Sequence, residues 1–118
     1  MEQITITVQY KIKKKKLAKA IIAILEYVEA IKKTESGTTE YKVFQDESDR
    51  TVFIHIMSFV DKAAKKTHEK SEDLKNLKKI LVPISKGKAV YASMVTVQPP
   101  TPIENIEIKK DMSSHEPI

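Results

Sequence analysis

Segment 51–60 constrains the fold more than any other part of the chain, because its alternating pattern predicts a β-strand without a polar face. One side carries Val52, Ile54, Ile56, Ser58 and Val60, and the other carries Phe53, His55, Met57 and Phe59. Antiparallel strands in two-layer proteins usually turn one polar face to water. Since one or two long helices cover only one side of a sheet, we expect a second copy of the sheet on the other side. This predicts a symmetric homodimer.

Shorter patterns place the other elements around this strand. Periodicity predicts strands over 4–10, 39–45, 51–60 and 88–97, and helices over 15–33, 62–69 and 72–81. Asp61 and Ser71 are predicted N-caps, and Gly37 is predicted to form a C-terminal cap or turn after the first helix. The order is that of a ferredoxin-like βαββαβ protomer, an α+β fold.

The first helix is predicted to bury one apolar stripe. Its members are Leu17, Ala20, Ile21, Ile24, Leu25, Tyr27, Val28 and Ile31. Ile22 lies off this stripe among charged residues, and its exposure would be ordinary for a lone isoleucine or would mark a partner contact.

Residues 1–97 are predicted to form one domain, and residues 98–118 a proline-containing C-terminal extension that is disordered or lies over a partner subunit. The longest apolar run, 20–25, is too short to cross a bilayer, which takes about 20 residues. The N-terminus lacks a signal-peptide pattern, so we expect a cytoplasmic protein without a membrane partner.

The net charge of +5 does not indicate nucleic-acid binding. Arg50 is the single arginine, and arginine is the residue that best reads guanine edges and clamps phosphates. The chain also has no tryptophan on which unpaired bases would stack. We therefore expect no nucleic-acid partner, although the positive charge favours anionic ligands through long-range attraction.

A family resemblance rests on the segment that follows the hydrophobic strand. Asp61-Lys-Ala-Ala-Lys-Lys-Thr-His68 with Ser71 three residues on, the strand aromatics Phe53 and Phe59, Tyr41 and Arg50 carry it. In these positions residues 3–97 resemble the antibiotic biosynthesis monooxygenase family of the dimeric α/β-barrel superfamily. Two positions depart from the family pattern, since Met57 stands where many relatives have glutamate and Phe59 where many have tryptophan.

The resemblance implies that two ferredoxin-like protomers close their sheets into a dimeric α/β barrel. It also implies cofactor-independent oxidation by O2 of a small aromatic or quinol-type compound. His68 is the candidate catalytic residue, because an imidazole exchanges protons near neutral pH and could deprotonate a phenol or hydroquinone. The alternative is a structural histidine that caps or crosses between the two short helices.

The predicted substrate-binding residues surround an apolar pocket, a setting in which few polar groups orient a ligand. They are His55, Tyr41, Phe53, Met57, Phe59 and Gln9. Each has an alternative role: His55 as a packed core histidine, the tyrosines as core residues and Gln9 as a solvent-facing side chain. Tyr10 and Tyr91 would add further phenolic hydroxyls.

No cofactor or metal site is expected. The three histidines, His55, His68 and His115, lack the helical spacing of metal ligands, and two glycines do not make a phosphate-binding loop. Haem-degrading relatives use an asparagine–tryptophan–histidine set, whereas this chain has no tryptophan and has Gln9 at the asparagine position. The main alternative to an enzyme is a non-catalytic small-molecule-binding or stress-associated homodimer, because the fold does not decide between them.

Overall fold

The computed structural model describes residues 3–98, which form four strands and three α-helices in the predicted order. The strands are β1 (Ile4–Lys11), β2 (Thr38–Gln45), β3 (Val52–Phe59) and β4 (Val90–Val95), and the helices are α1 (Leu17–Thr34), α2 (Lys62–Glu69) and α3 (Glu72–Leu81). Short 3-10 turns, Lys14–Lys16 and Val82–Ile84, precede α1 and follow α3. The predicted ferredoxin-like α+β protomer is therefore confirmed.

The strands form one antiparallel sheet in the order β2-β3-β1-β4. The hydrophobic strand β3 lies inside the sheet between β1 and β2. Its register pairs His55 with Val8 on one side and with Val43 on the other. Residues two positions away on these neighbours are diagonal partners of His55, within reach of long side chains.

The two faces of the sheet differ in their covering. Phe53, His55, Met57 and Phe59 are buried and belong to the side on which the buried residues of α1 and α3 pack. On the other face, Val52, Ile54 and Ile56 are only half-buried. Phe44 of β2 is 49% exposed on that same open face. Within residues 3–98 no helix covers the open face, so its covering by a second copy stays a prediction.

The buried stripe of α1 is narrower than the sequence predicts. Ala20, Ile24, Tyr27 and Ile31 are buried, but Leu25 is 63% exposed and lies next to the exposed Ile22. The prediction for Leu25 was wrong because successive helical residues turn by about 100°, which points Leu25 away from α3 and β2, the elements that α1 contacts.

The short helices begin where the sequence predicts. The carboxylate of Asp61 accepts the Ala64 amide hydrogen at 2.9 Å, and the Ser71 hydroxyl accepts that of Leu74 at 3.2 Å. Such caps satisfy amide groups that have no partner within the helix.

Gly37 lies in the turn between α1 and β2, but it is not a left-handed cap, since Gly87 is the glycine with positive φ in the described residues. Position 37 is glycine because there is no room for a side chain. A Cβ at position 37 would lie 2.6 Å from the Cβ of Ala64, so α2 packs directly on the turn backbone.

Strand β4 is an edge strand, and all six of its residues are exposed. From position 99 onward, the predicted C-terminal extension lies outside the described residues. Between residues 3 and 98, no helix combines the length and the apolar character that crossing a membrane requires.

Candidate functional site

A cavity of about 700 Å³ lies between the sheet and helices α2 and α3. Its walls are mostly apolar, with Ile6, Val8, Met57, Phe59, Leu77 and Leu81 among the lining residues. Lys65, Lys78 and Lys88 also line it, and none of the three forms an ion pair within the described part of the chain. The cavity thus offers apolar walls together with three lysine side chains and the carboxylate of Glu69.

Each of the two strands beside β3 contributes one tyrosine that contacts His55. Tyr10 of β1 and Tyr41 of β2 stand diagonal to it in the sheet register, on the same face. The Tyr10 hydroxyl lies 2.6 Å from Nε2 of His55, and the Tyr41 hydroxyl lies 2.8 Å from Nδ1. Both ring nitrogens are therefore engaged, although the ring is only 3% exposed.

Burial lowers the pKa of His55 to about 4, and the proximity of His68 adds to this effect. Taking an imidazolium out of water is costly when no carboxylate accompanies it. The two hydroxyls that contact His55 supply hydrogen bonds but no negative charge. His55 is consequently neutral near neutral pH, and it donates one hydrogen bond and accepts the other.

His68 comes from α2 and meets a different pair of partners. Its Nδ1 lies 2.8 Å from Oε1 of Glu35, which follows α1, and its Nε2 lies 3.1 Å from the hydroxyl of Tyr27. The direct packing of α2 on Gly37 brings these elements together. The His68 ring does not cap a helix, as the structural alternative predicted. The imidazole links α2 to α1 instead.

Glu35 is almost completely enclosed, with 7% of its side chain exposed. Oε1 also accepts a hydrogen bond from the Thr38 hydroxyl at 2.7 Å. Oε2 is buried and has no hydrogen-bond partner among the described residues. An incompletely satisfied buried carboxylate is unusual in a folded protein and calls for an explanation.

Tyr27 and Tyr41 connect the two histidines. Their rings pack edge to face with centroids 5.2 Å apart. Burial raises the pKa of both phenols.

Two hydrogen-bonded groups therefore meet in the core: Tyr10, His55 and Tyr41 form one, and Tyr27, His68 and Glu35 form the other. The rings of Tyr27 and Tyr41 bring the two groups into contact, and we call the six residues together the tyrosine–histidine network.

Most of the residues predicted for the site meet at the cavity. His55, His68, Tyr41, Met57 and Phe59 all line it. Phe53 does not; it is buried and stacks on Tyr10 with a centroid distance of 5.8 Å.

The structure also places Gln9 away from the cavity. It is exposed and pairs with Ile54 on the open face, because its place in the alternation is opposite to that of Tyr10 and Val8. The open face lies on the other side of the sheet from the cavity.

Sequence reasoning missed Tyr27 and Glu35 as site residues. Tyr27 reads as one more member of an apolar helix stripe. Glu35 leaves a detectable signal, because a carboxylate at the C-terminus of a helix opposes the helix dipole. A local rule broken in this way is expected chiefly at functional positions.

Between residues 3 and 98, no group of three or more histidine, aspartate or glutamate side chains is arranged to hold an ion. His115, the third histidine, lies outside these residues.

Comparisons with known proteins agree with this architecture. The family model for antibiotic biosynthesis monooxygenase matches residues 3–79. No curated protein matches the chain.

Solved structures show the same fold at low sequence identity. A Caulobacter crescentus CB15 protein, assigned as an antibiotic biosynthesis monooxygenase, is 18% identical with a TM-score of 0.78, over 82% of this chain and 92% of its own. A second antibiotic biosynthesis monooxygenase is 22% identical with a TM-score of 0.75, over 80% of this chain and 99% of its own. A conserved protein from Methanosarcina mazei Go1 is 16% identical with a TM-score of 0.74, over 80% of this chain and 92% of its own.

Proposed function

The chain belongs to the antibiotic biosynthesis monooxygenase family, and from that premise we propose that it oxidises a small aromatic or quinol-type compound with O2, without a bound cofactor. A monooxygenase-like role fits the family and the fold of its structural neighbours. The substrate class and the oxygen chemistry are our proposal.

The observation that carries the proposal is an apolar cavity with a buried tyrosine–histidine network along one wall. Ligand sites typically combine apolar walls with a few fixed polar groups. Met57 and Phe59 would contact the ring of the compound, and His55 and Tyr41 would form the polar wall. Lys65, Lys78 and Lys88 would favour an anionic form of the bound compound.

The chemistry needs only the substrate, O2 and a proton acceptor. Removal of one proton converts the phenol or quinol into an electron-rich anion, and His68 is the proposed base. The anion reduces O2; one oxygen atom is retained in the product, the other leaves as water, and the substrate supplies all four electrons. The apolar walls of the cavity would limit competing reactions with water.

The decisive measurement is oxygen uptake by the purified protein with a panel of quinols and hydroxylated aromatics. We expect uptake with at least one compound, and a fall of roughly 10²-fold in His68→Ala, the size usually lost with an acid–base group. Circular dichroism would establish that the variant is folded. Unchanged rates would assign His68 a structural role.

The same cavity supports a second candidate, a non-catalytic binding protein. The favouring observation is that all four ring nitrogens of His55 and His68 are occupied by internal hydrogen bonds, as in a rigid pocket. Ligand binding without any oxygen uptake across the panel would select this candidate. The occupied nitrogens also leave neither histidine free to bind haem iron, so the structure adds nothing to the haem alternative.

We also propose that the open face of the sheet pairs with a second copy to form a homodimer. The supporting observation is its band of half-buried or exposed apolar residues, among them Ile54, Ile56 and Phe44. Light scattering should give about twice the monomer mass of 13.4 kDa. Ile54→Asp should yield a monomer, whereas Ile22→Asp, a matched change on the outer side of α1, should leave the dimer intact. A monomeric wild-type protein would contradict the proposal.

A further inference from the structure

Tyr10 and Tyr41 contact the two nitrogens of His55 from environments that differ in exposure. Both tyrosines line the cavity, but Tyr41 is only 6% exposed, whereas Tyr10 is half-buried. The Tyr41 hydroxyl lies against Nδ1 of His55, and it has no other hydrogen-bond partner within residues 3–98. The Tyr10 hydroxyl lies against Nε2 of the same ring. The imidazole thus separates one enclosed hydroxyl from one that a ligand can reach.

This difference decides which nitrogen of His55 carries the hydrogen. A neutral imidazole donates one hydrogen bond and accepts one, and hydroxyl partners supply no charge that would hold a second proton. If Nδ1 carried the hydrogen, Tyr41 would accept it, and the Tyr41 hydroxyl hydrogen would be enclosed in the core without an acceptor. Leaving a buried donor unpaired is costly. The hydrogen therefore lies on Nε2, and the Tyr41 hydroxyl donates to Nδ1.

The Tyr10 hydroxyl then keeps its own hydrogen free. Its oxygen lies 2.6 Å from Nε2 of His55 and accepts the hydrogen of that nitrogen. Among the described residues this hydroxyl has no second partner that would accept from it. The bonds are donated in one direction, from Tyr41 to His55 to Tyr10, and hydrogen bonds in such a series polarise and strengthen one another. A polarised phenolic hydrogen is thus available beside an apolar cavity.

The ring that carries this hydroxyl is fixed in position. Tyr10 stacks on Phe53 with a centroid distance of 5.8 Å and an angle of 12° between the ring planes. Together with the hydrogen bond to His55, this contact holds the hydroxyl in one place before a ligand arrives. A group that is already ordered binds a ligand with a smaller loss of conformational entropy.

We propose that the hydroxyl of Tyr10 donates a hydrogen bond to an oxygen of the bound compound, and that His55 and Tyr41 are the positioning residues of this donor. The ligand class that follows is an aromatic compound with an ionised hydroxyl, because a hydrogen bond to a charged oxygen is roughly twice as strong as one between neutral groups. This role of Tyr10 rests on the proposed function and adds to it the atom that holds the substrate oxygen.

The protonation states of both residues suit the role. Burial raises the pKa of Tyr10, and the nearby Tyr41 adds to the rise, so the phenol keeps the hydrogen that it donates. Burial lowers the pKa of His55 to about 4, so the ring is neutral where the ligand is ionised. The charged side chains that line the cavity are Lys65, Lys78, Lys88 and Glu69. They act on any anion in the cavity and remain the same when Tyr10 is changed.

The first experiment determines the tautomer of His55 without any ligand. In the whole purified protein, with the histidines labelled with the heavy nitrogen isotope, a two-dimensional NMR spectrum distinguishes ring nitrogens with a hydrogen from those without. The signals of His55 are those missing from the spectrum of His55→Gln. We expect the hydrogen on Nε2, and a hydrogen on Nδ1 would overturn the assignment of Tyr10 as a donor.

The second experiment compares two ligands that differ by one oxygen. 4-Nitrophenolate and nitrobenzene share the ring and the nitro group, and only the first carries a phenolic oxygen. Affinities are measured by calorimetry under argon, at a pH where free 4-nitrophenol is fully ionised. In Tyr10→Phe the preference for 4-nitrophenolate over nitrobenzene should fall by roughly 10- to 100-fold, the range for a hydrogen bond to a charged group. Binding of nitrobenzene should stay the same.

Tyr91→Phe is the matched control. Tyr91 lines the same cavity, but it is 62% exposed and has no hydrogen bond to His55. Its loss should leave the preference unchanged. Three results with Tyr10 would overturn the proposal: no binding of 4-nitrophenolate to the wild type, equal weakening of both ligands in Tyr10→Phe, or a preference that persists in that variant.

Neither experiment involves oxygen, so the two possible failures are distinguishable. A protein that shows the Nε2 tautomer and the loss of preference in Tyr10→Phe, but takes up no O2 with any quinol, would retain the Tyr10 site and lose the proposed oxidation. Oxygen uptake by a protein whose Tyr10→Phe variant keeps the preference would retain the oxidation and lose the Tyr10 site.

Discussion

The two buried histidines are similar in position but different in chemistry. His55 and His68 are each 3% exposed, and each has both ring nitrogens hydrogen-bonded. Tyr10 and Tyr41 surround His55, whereas His68 has a carboxylate on one side. Burial alone therefore does not define what a histidine can do; the charge of its partner decides whether the ring can hold a second proton.

The two histidines therefore have different roles in the core. His55 fixes the orientation of two phenols and stays neutral. His68 joins α2 to the end of α1 through an acid–base pair that is almost completely removed from water. An acid–base group can thus be placed behind an apolar cavity, but a carboxylate must then be buried beside it.

The largest expected difference concerns stability. His68→Leu removes the partner of the buried Glu35 and should lower the free energy of unfolding by about 3–5 kcal/mol, the cost of breaking a buried ion-pair or hydrogen-bonded charge. His55→Leu leaves two phenols without a partner but no charge, and should cost about 2 kcal/mol. Urea unfolding followed by circular dichroism at one protein concentration measures both. If His55→Leu lowered the free energy of unfolding as much as His68→Leu, the predicted difference between the two histidines would be wrong.

The second prediction uses pH. The folded pKa of His55 is lowered to about 4 from the ordinary 6.5, so the unfolded chain binds this proton first as the pH falls. Stability from this group is present above pH 6.5 and is lost on acidification toward pH 4, by about 3 kcal/mol in total.

His55→Gln is the control for this pH effect, because an amide bonds to both phenols without titrating. Urea unfolding between pH 7 and pH 4 should show a shallower loss in His55→Gln than in the wild type. Parallel curves for the two proteins would mean that His55 is not buried as a neutral ring.

The smallest expected change in stability comes from Glu35→Gln. The amide oxygen still accepts from Nδ1 of His68, so the loss in unfolding free energy should be about 1 kcal/mol, that of a charge-assisted bond made neutral. Oxidation of a quinol should nevertheless fall about tenfold or more, because the imidazolium loses its counter-charge. Glu69→Gln, an exposed change at the same cavity, should alter neither quantity; an equal loss of activity there would point to general charge rather than to the pair.

Much of the fold was predictable because its signals are local. The alternation of β3 and the caps Asp61 and Ser71 each depend on a few adjacent residues, and the structure confirms them, as it does the α1 stripe apart from Leu25. The double apolar character of β3 predicted a second subunit on the open face of the sheet, which stays a prediction. The exposure of Leu25 was not predictable, since the width of a buried stripe depends on which elements pack against the helix.

The site was predictable only where its residues share one strand or one motif. His55 and His68 stand out because titratable groups are conspicuous in apolar sequence. The link through Tyr27 and Glu35 requires α1, β2 and α2 to meet in space, and no spacing along the chain encodes that meeting. Gln9 shows the converse, since a polar residue on the right strand lies on the wrong face of it.

The absence of a side chain at Gly37 has a consequence for this acid–base pair. Gly37 stands two residues after Glu35, and Ala64 stands one helical turn before His68, so the backbone contact between them lies beside the pair. A single methyl group at position 37 would wedge the two segments apart and lengthen the bond from carboxylate to imidazole. The spacing of the two reactive groups is thus set by how closely two stretches of main chain can approach, and evolution can retune it with one hydrogen-to-methyl exchange without altering either group.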